Sequence, residues 1–124
     1  MTLFVVALAG GLGAVARVVV DGEIRRRVGD GFPWGTAVIN LTGSLLLGLV
    51  TGLFLGGLLP EPARVVIGTG FLGGYTTFST AAVETVRLAE QRRYGQALAH
   101  GLGQLAAAVL LSAVGLVSGL ALAG

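Results

Sequence analysis

The sequence predicts an all-α membrane protein with four transmembrane helices, the third broken near its midplane. Three observations lead there. Only 11% of the 124 residues are charged, against about 25% in soluble domains. Long uncharged runs recur, and the length holds about four spans of roughly 20 residues each. The basic residues, all arginine, sit mostly between these runs, where they set topology and do not form a nucleic-acid surface. With no cysteine, disulfides and thiolate metal sites are excluded. So small a bundle has little interior of its own, which favours oligomerisation in the lipid bilayer.

Span one covers about residues 2–20. No basic residue precedes Arg17, so the N-terminus reads as a span and not as a signal peptide. Gly11, Gly13 and Ala16 fit the spacing GxGxxA, but the dinucleotide fingerprint needs a strand before it and a βαβ unit around it. Close helix packing is the better reading. Arg17 is the one charge embedded in the span, where an arginine either snorkels or faces a polar vestibule. A polar loop follows over residues 21–31, with Arg25, Arg26 and Arg27.

Span two covers about residues 33–59. Pro33 suits a helix start and Trp34 the interfacial belt. Asn40, Ser44, Gly48, Gly52 and Gly56 recur every four residues, a face that lets helix backbones approach closely. Asn40 is its strongest polar intrusion and reads either as a helix–helix hydrogen bond or as a donor lining an ion path. A turn at Pro60-Glu61-Pro62 leads to span three, about residues 63–89. Its middle, GFLGGYTTFSTA over residues 70–81, concentrates glycines and hydroxyl residues that make a regular helix unfavourable. Interrupted backbone at that depth is tolerated only when buried in protein or lining a polar pathway. Span four covers about residues 96–122. Gly115 and Gly119 form a GxxxG pair there, and His100 and Gln104 lie one turn apart.

Loops one and three hold Arg25, Arg26, Arg27, Arg87, Arg92 and Arg93, whereas the opposite side holds only Arg64. Positive loops stay cytoplasmic, so both termini are expected outside.

Taken together, these residues resemble the Fluc (CrcB) family of bacterial fluoride channels. The resemblance rests on GGLGAVAR (residues 10–17), FPWGTAVINLTGSLLLG (residues 32–48) and GFLGGYTTFST (residues 70–80), and covers most of the chain in order. It implies an antiparallel dimer of the dual-topology type in a bacterial inner membrane. It also implies two fluoride pores and a structural sodium ion held by backbone carbonyls of Gly73 and Thr76. Phe78 would present its ring edge to fluoride, Asn40 would be the pore amide, and Ser79 and Thr80 would continue a polar track. Arg17 would lie toward the vestibule, with His100 and Gln104 placed along the pore. Two departures stand out: Ala81 occupies the position of the family's second pore phenylalanine, and the arginine bias is stronger than dual topology needs. Both fit one half of a heterodimer completed by a homologous subunit. The rival readings are a small multidrug-type antiporter, which needs a proton-exchanging carboxylate in the membrane, and a non-conducting scaffold subunit. No nucleophile–base or metal constellation suggests an enzyme.

Overall fold

The computed structural model describes residues 2–124, and among these residues it contains helices and no strand. We number the helices α1 (Thr2–Val28), α2 (Trp34–Leu55), α3 (residues 61–75), α4 (Phe78–Glu90) and α5 (Tyr94–Ala123). Helices α1, α2 and α5 are each long and apolar enough to cross a membrane. Helices α3 and α4 are the two halves of the predicted third span, parted at Thr76 and Thr77.

Helix α1 outlasts its predicted span and carries most of the expected loop with it. The reason is local: Arg25 pairs with Asp21 at 2.9 Å, and Glu23 takes Arg26 and Arg27 one turn on. These hydrogen bonds hold the Glu23 carboxyl below its usual range. The helix stops where Gly29 turns left-handed at φ 81°, its amide bonded to the Arg25 carbonyl.

Two glycine seams assemble the bundle. Helix α2 lies along α5, with Gly48 and Gly52 against the backbone of residues 112–120, and Gly115 and Gly119 against that of residues 45–53. Helix α1 lies along α3, where Gly13 meets the Phe71 carbonyl and Gly74 meets the Gly10 carbonyl. Within the GxGxxA stretch, Gly13 therefore serves backbone contact, while Gly11 faces open space. Between the pairs sits a small apolar cluster of Ile39, Val50, Leu72 and Tyr75. Most other large apolar side chains are exposed, as lipid-facing residues must be.

Helices α3 and α5 each contain a stretch of widened i→i+5 turns, over Val65–Leu72 and Ala99–Gly103. Such turns are rare and gather at functional positions. The first runs into Gly73, beside the break; the second carries His100 and hands over to Gln104.

Candidate functional site: a broken helix pinned by an asparagine

The break consists of two residues in extended conformation, Thr76 (φ −81°, ψ 156°) and Thr77 (φ −147°, ψ 118°). A β-branched pair following two glycines resists helical continuation. What secures the break is Asn40 on α2. Its Oδ1 accepts the Thr77 amide at 2.9 Å, and its Nδ2 donates to the Thr77 carbonyl at 2.8 Å. The side-chain amide thus pairs with one backbone residue as a neighbouring β-strand would. Thr77 then caps α4, its Oγ1 accepting the Thr80 amide at 3.3 Å. Gly43 leaves room for the Thr76 methyl group, which a larger residue would displace.

Asn40 is itself held from behind. Its Nδ2 also donates to Gln104 Oε1 at 2.8 Å. Gln104 Nε2 lies 3.0 Å from both the carbonyl and Nδ1 of His100. His100 Nε2 lies 3.2 Å from Glu84 Oε1, and the ring meets Phe32 edge-on. His100 is only 1% exposed and Gln104 is buried.

These residues border a groove of about 850 Å³ lined by Asn40, Gly73, Thr76, Thr77, Phe78, Ala81, His100 and Gln104. The Phe78 ring is 86% exposed beside it. A second cavity, of about 330 Å³, opens among Asp21, Arg25, Asp30, Glu84, Arg87 and Arg93. Glu84 lines the second cavity and its partner His100 the first. The hydrogen-bonded pair therefore bridges a charged mouth and an uncharged groove.

The chain matches the family profile described as CrcB-like protein, Camphor Resistance (CrcB), over residues 4–116. The chain belongs to the CrcB family. It is 55% identical to fluoride-specific ion channel FluC 1 of Leifsonia xyli subsp. xyli, across 99% of this chain and 90% of the relative. It is 50% identical to fluoride-specific ion channel FluC 2 of Cutibacterium acnes, across 96% and 98%. It is 41% identical to fluoride-specific ion channel FluC of Caulobacter sp. strain K31, across 98% and 93%.

Within this CrcB chain, the sequence-predicted residues divide into two sets. Asn40, Gly73, Thr76, Phe78, His100 and Gln104 come together around one groove. Ser79 and Thr80 are exposed in the first turn of α4, outside its lining, and Arg17 is half-buried on α1 and lines neither cavity. Arg25, Arg87 and Arg93 form the charged mouth instead. Glu84 belongs to the site more closely than its sequence position suggested: the i, i+4 pair His100–Gln104 was legible, but its meeting with a carboxylate sixteen residues earlier was not.

The carbonyls expected to hold sodium have the right chemistry for a hard cation, which takes oxygen ligands. The helical partner of the Gly73 carbonyl would be the Thr77 amide, which is committed to Asn40. That of the Thr76 carbonyl would be the Thr80 amide, which is committed to Thr77 Oγ1. Both carbonyls are thereby released from the helix pattern, and Gly73 lies on the exposed side of the break.

Proposed function

We propose that this protein is a fluoride-selective channel subunit that exports fluoride passively from the cytoplasm and so lowers its toxicity. The observation that carries the reading is the Asn40-pinned break beside the groove, in a chain that spans nearly the full length of relatives named as fluoride-specific ion channels. Fluoride is small and strongly hydrated, so a narrow path must replace its water with donors. The positive edge of the Phe78 ring is the group offered to it at the groove, and the hydroxyls of Ser79 and Thr80, on the first turn of α4 outside the groove's lining, would continue the path. Asn40 joins them only when one of its two amide protons is set free. The role is conduction and not catalysis. The antiporter and scaffold readings gain nothing from these relatives.

We assign the exposed face of the groove to a second, antiparallel subunit. A structural sodium ion shared there would be held by the Gly73 and Thr76 carbonyls and would fix the two breaks against each other. Ala81 lines the groove with a methyl group where the family resemblance leads one to expect a ring. A homologous partner chain supplying that ring would complete one working pore. The measurement is fluoride efflux from liposomes, with chloride and a cationic dye as controls. The expected result is fluoride-selective efflux that is much larger when the chain is reconstituted with its homologous neighbour. Full flux from this chain alone would overturn the pairing. Dye transport without fluoride flux would overturn the channel reading.

Orientation follows from charge. Arg25, Arg87 and Arg93 share one cavity, so loops one and three open on the same end of the bundle, and we assign that end to the cytoplasm of the bacterial cell. A reporter fused to the C-terminus is expected to register outside the cytoplasm. Strong cytoplasmic signal would reverse the assignment.

A further inference from the structure

A string of hydrogen bonds runs from the charged cavity to the helix break: Glu84, His100, Gln104, Asn40, Thr77. Its polarity follows from one group. A backbone N–H can only donate, so the Asn40 atom facing the Thr77 amide is the oxygen. The Asn40 nitrogen then faces the Thr77 carbonyl and Gln104, and both its protons are used. The Gln104 atom that receives one of them is therefore its oxygen, and the Gln104 nitrogen must face His100. Nδ1 of His100 accepts from that nitrogen and carries no proton. An Nδ1 that accepts corresponds to the tautomer with its single proton on Nε2, directed at Glu84.

We propose that Gln104, oriented by His100, is the positioning residue that withholds an amide proton of Asn40 from the anion, and that protonation of His100 returns it. The inference rests on the channel reading above. An imidazolium carries a proton on both nitrogens, so Nδ1–H would confront the Gln104 amino group, donor against donor. Turning the Gln104 amide over relieves that contact and offers its oxygen to Nδ1–H, at the cost of the bond its nitrogen made to the His100 carbonyl. The same turn presents the Gln104 nitrogen to the Asn40 nitrogen, again donor against donor, and that bond is lost. Asn40 keeps its two bonds to Thr77, so the break survives. Its second N–H is then left without an acceptor at the stretch of groove wall that Asn40, Phe78 and Gln104 share. Among the described residues, Glu84 on α4 is the one titratable group in hydrogen-bond contact with His100, and Phe32 before α2 offers only a ring. Beyond Glu84, the cavity holds Asp21, Arg25, Asp30, Arg87 and Arg93, which gives protons an approach.

The protein contains one histidine, so its ¹⁵N signals in lipid vesicles belong to His100 alone. The Nε2–H tautomer is expected at neutral pH, and an Nδ1–H tautomer would overturn the polarity. Fluoride efflux is then compared at about pH 7.5 and about pH 5.5, on either side of the ordinary histidine range. Protein-free vesicles at each pH remove the leak of undissociated acid, and the assembly used is the one that conducts, alone or paired. Wild-type flux is expected to rise about fivefold or more at the lower pH, the effect of one regained hydrogen-bond donor. His100→Phe keeps the backbone carbonyl that holds Gln104 and is expected to lose the rise. Gln104→Leu is expected to show the acid-level flux at both pH values. An unchanged pH response in His100→Phe would overturn the proposal, as would a folded Gln104→Leu less conductive than wild type at both pH values. If Gln104→Leu does not fold, the tautomer and His100→Phe decide. Absence of flux at every pH with the expected tautomer counts against the channel reading, whereas flux with no pH response counts against this proposal.

Discussion

Replacing Asn40 by leucine is expected to abolish measurable fluoride flux and to destabilise the protein. The two side chains are close in size, so the change removes hydrogen bonds with little change in volume. Three groups lose a partner at once: the Thr77 amide, the Thr77 carbonyl and Gln104 Oε1. An unpaired buried polar group costs about 1–3 kcal/mol, so the total is about 3 kcal/mol or more. The same change removes the one side-chain amide that this position can offer the anion, so flux is expected to fall together with stability. Asn40→Asp is the sharper control. It keeps the shape and one acceptor but turns an oxygen on two other oxygens, the Thr77 carbonyl and Gln104 Oε1. It is expected to be no better than leucine. Fluoride efflux and thermal unfolding in detergent check both variants. Near-wild-type flux from Asn40→Leu would mean that the break stands without its pin.

Gly115→Val is expected to prevent stable assembly altogether. A Cβ at this position would lie against the Leu45 carbonyl and 2.7 Å from the Leu49 amide, both rigid helix backbone. The same seam carries Gly48, Gly52 and Gly119, so α2 and α5 can separate only along its length. Overpacking in a close-packed interior costs about 1–3 kcal/mol when side chains can yield, and more when only backbone stands opposite. In a membrane, the loss falls on the main source of helix association, which is close packing. Gly11→Val, which faces open space, is the matched control and is expected to behave as wild type. Yield of folded protein after detergent extraction separates the two. Equal yields would show that the seam is loose enough to accept a side chain.

The sequence made the four-span plan and the break legible because both rest on local chemistry. Apolar runs of membrane length are visible residue by residue, and glycines followed by paired threonines oppose a helix wherever they occur. The close approaches at Gly48, Gly52, Gly115 and Gly119 were likewise readable from their spacing. The continuation of α1 to Val28 was not, because charged residues read as loop until their i, i+3 and i, i+4 pairings are seen. Nor was the destination of the Asn40 protons. Spacing placed Asn40 on a helix face, but only the fold brings Thr77, thirty-seven residues on, and Gln104, sixty-four on, to either side of it. The pairing of Glu84 with His100 was hidden for the same reason.

The two carboxamides in the middle of the string have a consequence for the cell's energy supply. To hop along hydrogen bonds, a proton must be taken up at one atom of each group and released from another. Imidazole and water do this readily, but amide nitrogens are not basic and each amide keeps its own hydrogens. Asn40 and Gln104 interrupt any such hopping between Glu84 and the helix break. On the proposal above, the string would transmit orientation while remaining an insulator for protons. An anion pathway opening beside it would therefore not draw on this string to short-circuit the proton-motive force across the same membrane.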